Sequence, residues 1–278
     1  VTRMAYVGGK ATGASHILIV LNDPAFDGMD YVEPFVGYAH VLRRVETKRS
    51  YAASDVNTLL VVLLEAVQQG TPLPRIRDKE EYERLRRSEG TTLRHAVAAF
   101  AYSYNGKEWG GYTATDAAGR RNYPEERMRY YETLNENTAF RKTPLRCASY
   151  EELRPRGALI YCDPPYEGTT GYGGRPFDHA AFWDTVRAWS KDNTVFVSEY
   201  TAPPDFEVVS SATKRTSLSG KGRDDSRVEK LFRLQEGATT PTMQQEPPAK
   251  RQSKGITLRR IDLDTDVTEL SDSEEEEV

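Results

Sequence analysis

Residues 158–166 read Ala-Leu-Ile-Tyr-Cys-Asp-Pro-Pro-Tyr, and the reading of this stretch decides the rest of the chain. Ala158 to Cys162 is a short apolar run rich in strand formers, and it stops at two prolines. Such a run, bounded by residues that cannot continue a ladder, predicts a buried strand of an α/β sheet. Asp163 then falls at the carboxyl end of the strand, where open α/β sheets bind their ligands. Pro164 and Pro165 fix two successive φ angles and remove two backbone donors, while their carbonyls stay available as acceptors. The product is a stiff corner made of a carboxylate, outward carbonyls and the Tyr166 ring. It suits a planar group with an amino substituent, whose N–H bonds go to Asp163 and a proline carbonyl while its ring stacks on Tyr166. A tight turn with a surface tyrosine is the competing reading, because turns favour these residue types. The glycine-rich run Glu167-Gly168-Thr169-Thr170-Gly171-Tyr172-Gly173-Gly174 that follows favours the first, since it could move over a substrate.

Three stretches upstream bear on the same site. Gly8-Gly9-Lys10 is either a plain turn or a close backbone approach to a ligand with a lysine in reach of a carboxylate. Tyr31 to Ala39 reads as strand, then a turn at Gly37, with a helix starting over Ala39 to Val45. A single glycine there is not the Gly-x-Gly-x-x-Gly of a dinucleotide site, so a pyrophosphate ligand and a nicotinamide enzyme are disfavoured. Asp55 follows a short strand and precedes the helical run Thr58 to Gln69. An acid in that place accepts both hydroxyls of a ribose, or else caps the next helix in competition with Asn57.

The motif Tyr161-Cys162-Asp163-Pro164-Pro165-Tyr166 resembles the catalytic motif of the amino-methyltransferases that use S-adenosylmethionine, above all the Dam-type (D12 class) DNA adenine-N6 methyltransferases. Gly168 to Tyr172, Phe177-Asp178-His179, Phe182-Trp183 and Val197-Ser198-Glu199-Tyr200 are also similar to that family, over roughly residues 5 to 235. The resemblance implies a Rossmann-like class I methyltransferase sheet and S-adenosylmethionine as cofactor. It makes Asp163, Pro164, Pro165 and Tyr166 the catalytic residues. Tyr6, Lys10, Phe35, Gly37, Asp55 and Asp163 become the cofactor-binding ones. Tyr38-Ala39, where many members have a further small residue or glycine, departs mildly. The implied reaction is methyl transfer to adenine N6 in double-stranded DNA, with a place in restriction-modification as one setting. Asp163 in the first motif position argues against cytosine N4, the near alternative. A non-catalytic DNA-binding protein on the same fold is the second alternative.

Between the cofactor motifs and the Asp-Pro-Pro-Tyr motif lies a basic segment. Residues 75–90 predict an exposed charged helix, and 91–104 form a more apolar segment rich in alanine and aromatics. Arg120, Arg121, Arg127, Arg129, Arg141, Lys142 and Arg146 then alternate with Tyr123, Tyr130, Tyr131 and Phe140. Bases interleaved with aromatics suit phosphate contact and base stacking; solvated charged helices give the same pattern. The expected partition is a catalytic domain over 1–70 and 147–235, a mostly helical target-recognition insert over 71–146, and a disordered acidic tail over 236–278. Downstream, Asp178 is the expected cap of a helix to Ser190, with His179 a surface residue. Thr194–Val197, Asp205–Val209 and Lys230–Arg233 are expected strands.

The chain has 278 residues and a formal charge of −4, but residues 261–278 hold nine acids and no base. The first 260 residues therefore carry 38 bases against 33 acids, a net of +5 that fits a nucleic-acid partner. Mean hydropathy is −0.67 and no apolar run approaches a membrane span. Two cysteines without metal-ligand spacing predict a reducing compartment and no metal site. No secretory leader is expected; the expected location is the cytoplasm, or wherever the DNA lies in a virus-infected host. Ser271 and Ser273 are weak candidates for phosphorylation, and Lys250-Arg251 with Lys254 for a basic address.

Overall fold

A computed structural model describes residues 10, 14–116, 118–167, 177–214 and 227–237. Tyr6, the glycine-rich run after Glu167 and the acidic tail lie outside the described residues. Among the described residues seven strands form one mixed sheet: β1 (Asp30–Glu33), β2 (Ser50–Asp55), β3 (Leu145–Cys147), β4 (Ala158–Cys162), β5 (Thr194–Glu199), β6 (Phe206–Lys214) and β7 (Arg227–Leu234), in the order β3-β2-β1-β4-β5-β7-β6. The first five are parallel, and β7 runs antiparallel to both β5 and β6. The α/β, Rossmann-like expectation holds.

The strand predicted from 158–162 is β4, and all five of its residues are buried. Successive side chains of a strand point to opposite faces, so this one run feeds two cores. Leu159 and Tyr161 join the cluster that holds Ile17, Leu63 and Phe100. Ile160 and Cys162 join Phe182, Trp183 and Val186 of α7 (His179–Trp189) on the other side. Burial on both faces is why the sequence is continuously apolar rather than alternating. Asp178 caps α7 by accepting the Ala181 N–H, as expected.

Before the sheet begins, α1 (Ser15–Leu21) buries Ile17 and Leu21. The helices α2 (Thr58–Gln68), α3 (Lys79–Ser88), α4 (Leu93–Ala101), α5 (Tyr123–Glu136) and α6 (Thr138–Lys142) all lie between β2 and β3. Each starts on a side-chain cap, from Asn57, Asp78, Thr92, Asn122 and Asn137 respectively. These caps satisfy amide groups that the first turn leaves orphaned.

The helix expected to start over Ala39 to Val45 is absent. That connection holds only a 3-10 turn, Leu42–Arg44. Ala39 is the cause: its φ of +55° is left-handed, which costs an L residue about 1–2 kcal/mol and cannot open a right-handed helix. No helix of the described residues is long and apolar enough to cross a membrane.

Candidate active site

The Asp-Pro-Pro-Tyr segment leaves β4 at the carboxyl edge of the parallel strands. Pro164 is buried, Pro165 and Tyr166 half-buried, so the corner is held from beneath. Lys10 meets it: its Nζ lies 2.6 Å from Asp163 Oδ1 and 2.5 Å from Glu229 Oε1 on β7. Lys10 also donates to the Tyr166 hydroxyl at 2.5 Å and stands 5.0 Å from the centre of the Tyr166 ring. The hydroxyl in turn lies 2.7 Å from Glu229 Oε1 and 3.0 Å from Asp163 Oδ1. The Tyr166 ring packs edge-on against Tyr200, centroids 4.8 Å apart.

Burial works against the Lys10 charge, but Asp163 and Glu229 outweigh it and hold its pKa above the ordinary lysine value. Burial, then the charges of Asp163 and Glu229, push the Tyr166 hydroxyl well up, so it stays protonated. The segment is anchored at its exit as well. Glu199, at the end of β5, accepts the Glu167 N–H at 2.6 Å and its neighbour Tyr200's at 3.0 Å. Burial raises its pKa to about 7 against those two donors.

A cleft of about 950 Å³ opens from this corner, at the large end of the range for ligand pockets. Lys10, Phe35, Gly37, Asp55, Asp163 and Pro165 all line it. The cleft thus gathers the described residues expected at the site other than Pro164 and Tyr166; Pro164 is buried, and Tyr166 touches Lys10 and Asp163 through its hydroxyl. Gly37 has φ +49°, with open space where a Cβ would stand, so the glycine answers a backbone need rather than a steric one. Its N–H donates to Asp55 Oδ2 at 3.1 Å, and the Asn57 N–H donates to Oδ1 at 3.0 Å. The rivalry over the next helix resolves: Asn57 caps α2. Asp55 instead ties the β1 turn to the β2 end, and its two carboxylate oxygens keep acceptor capacity beyond the backbone amides they face. Burial raises its pKa.

Three acids of the site were not singled out in the sequence. Glu33 ends β1 and lines the cleft; it accepts from the Tyr31 hydroxyl at 2.8 Å. Burial pushes it up to about 8, with Asp163 adding and Tyr31 opposing. Its signal was available, since Val32-Glu33-Pro34 repeats the strand–acid–proline pattern of Cys162-Asp163-Pro164. Glu229 is two residues from Leu231, hence on the same inward face of its strand. Glu199 sat in a quoted motif but had no assigned role. His40 also lines the cleft; burial and the charges of Arg43, Arg44 and Lys10 hold it neutral, down to about 3.

One expectation fails. Tyr130, Tyr131 and Phe140 do not face a nucleic acid; they are 3%, 1% and 0% exposed and belong to the main core. Arg127 is buried too, donating to the Ala101 carbonyl at 2.6 Å. The helical period puts Arg127 on the buried side with Tyr130, Tyr131 and Leu134 and turns Arg129 outward, which interleaving in sequence hides. Arg84, Arg87, Arg129, Arg141, Lys142 and Arg146 remain exposed. Among the described residues no cluster of His, Cys, Asp and Glu could hold a metal ion.

Residues 6–198, more than half of the chain, match the D12 class N6 adenine-specific DNA methyltransferases. The chain belongs to that family. It is therefore a methyltransferase, and its sheet is the methyltransferase form of the Rossmann-like fold. Glu199 is the first residue after the matched segment, and Glu229 lies well beyond it. No curated protein matches this D12 chain in sequence. Similar solved structures include a putative RNA methyltransferase from Pyrococcus horikoshii, 11% identical, covering 81% of this chain and 84% of that one, with a TM-score of 0.40. An rRNA methyltransferase, aviRa, from Streptomyces viridochromogenes is 13% identical over 77% of this chain and 80% of that one, TM-score 0.34. A putative methyltransferase, SMU.472, complexed with SAH, is 10% identical over 86% of this chain and 56% of that one, TM-score 0.33.

Proposed function

We propose that this D12 methyltransferase transfers the methyl group of S-adenosylmethionine to the N6 amine of adenine in double-stranded DNA. The observation that carries this reading is the convergence of Asp163, Lys10, Gly37 and Asp55 on one cleft. The residues present fit the cofactor: Asp55 has acceptor capacity for a ribose diol, and Gly37 opens the backbone beside it. Tyr6, Lys10 and Phe35 are the other residues we assign to holding it. The bound cofactor supplies an activated methyl group, so the protein has mainly to align and to place charge.

Adenine N6 is a poor nucleophile, because its lone pair is delocalised into the ring. Asp163 accepts one amine N–H and the Pro164 carbonyl accepts the other. Together they favour a tetrahedral nitrogen whose lone pair points away from the ring. A carboxylate beside the amine also stabilises the positive charge that grows there. The base must leave the duplex to reach this corner. Lys10 meets Tyr166 at the hydroxyl end of its ring, and a base stacks on a ring face. We assign residues 71–146 to target recognition, with exposed Arg84, Arg87, Arg129 and Arg141 contacting phosphates.

The test is to incubate the protein with DNA and labelled cofactor, digest, and identify the labelled nucleoside and its neighbours. N6-methyladenine in a fixed sequence context is expected. N4-methylcytosine would replace the assignment of the base. Cofactor binding without any labelled nucleoside would replace it with the non-catalytic reading.

A further inference from the structure

The acid on β7 is the least expected member of the corner. It lies beyond the segment that matches the family, and it arrives only because the last strand is reversed. The register pairs Glu199 with Lys230, so the residue before it, Glu229, stands just past the end of β5, at the edge where Asp163 stands. Its side chain is fully buried, in line with Leu231, and its Oε1 is 2.5 Å from Lys10 Nζ.

A lysine paired with Asp163 alone would be a difficulty for the proposed reaction. The amine needs a carboxylate with its charge available, and a contact ion pair neutralises that charge from the other side. A buried acid shared with the same lysine changes the balance, because the ammonium is then divided between two carboxylates. The Tyr166 hydroxyl has one proton to give, and its shorter contact is to Glu229, 2.7 Å against 3.0 Å to Asp163. Each of these donors thus has a second acceptor besides Asp163.

We propose that Glu229 is a positioning residue of the methyl-transfer site. It takes up the charge of Lys10 and the proton of Tyr166, and so leaves the Asp163 carboxylate for the target amine. The inference rests on the function proposed above. Glu229→Gln keeps the shape of the side chain and an acceptor for Tyr166 while removing the charge, and Lys10→Met with Glu229→Gln removes both charges.

The experiment compares the full-length wild type, Glu229→Gln and the double variant at saturating cofactor and DNA. It adds calorimetric titration with S-adenosylhomocysteine and a carbon-13 carboxyl titration of Asp163 without substrate. Glu229→Gln is expected to bind S-adenosylhomocysteine within about twofold of wild type and to lower kcat about tenfold or more. Asp163 should titrate at lower pH in it, because the like charge is gone and Lys10 is no longer shared. The double variant should exceed Glu229→Gln in kcat at saturating cofactor, since the Asp163 carboxylate is no longer held in an ion pair with Lys10.

A Glu229→Gln protein with wild-type kcat and an unmoved Asp163 titration overturns the inference. So does a double variant slower than the single one, or a loss of kcat that merely follows a loss of S-adenosylhomocysteine binding and melting temperature. A wild type that methylates no DNA refutes the function proposal instead, and the Asp163 titration still decides the charge relation.

Discussion

Replacing Glu33 by Gln should change how the stability of this protein depends on pH. Glu33 is 2% exposed at the end of β1, and burial lifts its pKa from the ordinary 4.5 to about 8. The folded chain therefore holds a proton that the unfolded chain gives up above the ordinary value. Between those two values the native state binds more protons, so stability falls as pH rises through the window and levels off above it. At about 1.36 kcal/mol per pH unit the whole window is worth about 5 kcal/mol. Between about pH 5 and pH 9 it is worth about 4 kcal/mol, because part is already lost at the lower end. Gln carries no such proton, keeps the acceptor for the Tyr31 hydroxyl and has nearly the same volume. Other titrating groups, Glu199 among them, act in both proteins and cancel in the difference. Urea unfolding of both proteins at the two pH values, followed by tryptophan fluorescence, reads the quantity directly. The wild type should lose about 4 kcal/mol more than the variant. Equal losses would mean that Glu33 is ionised in the fold with Lys10 as its counter-ion, and the reasoning from burial would be refuted.

Asp163→Ala should lower kcat about 100-fold or more while S-adenosylhomocysteine binds within a few-fold of wild type, checked by turnover and calorimetry. Asp55→Ala should do the reverse, weakening S-adenosylhomocysteine about tenfold or more through lost acceptors and freeing the Gly37 amide. Glu199 loses its charge as pH falls through about 7 and then gives up one of its two amide contacts, so the wild-type rate should fall there; Glu199→Gln should lack that limb in its pH–rate profile. Cys147 is exposed and Cys162 buried, so a thiol reagent should label the first in the native protein and both only in denaturant.

What could be read in advance was whatever local order dictates. Ala158 to Cys162 is apolar throughout because both its faces are covered, and the prolines after it stop the strand where the acid is placed. Asp178 and the apolar spacing after it specify α7 without help from elsewhere. Asp55 could be placed at a strand end, but its choice between ribose acceptor and helix cap needed Asn57 and Gly37 in space. β3 escaped notice, since Leu145-Arg146-Cys147 has no pattern of its own and is a strand only by pairing with β2. The turn after Gly37 misled because nothing in Ala39 announces a left-handed backbone. Glu229 was hidden for the same reason as β3: its meaning lies in a lysine at the opposite end of the chain.

The helix α5 divides two tasks between its sides. Tyr130, Tyr131 and Leu134 are built into the scaffold, whereas Arg129 and Glu132 look outward. Variation at the outward positions is nearly free of folding cost, and variation at the inward ones is not. On the proposed assignment of residues 71–146 to target recognition, a lineage of such enzymes drifts from one DNA sequence to another through changes of side chain alone, with the methyl-transferring machinery left untouched beneath.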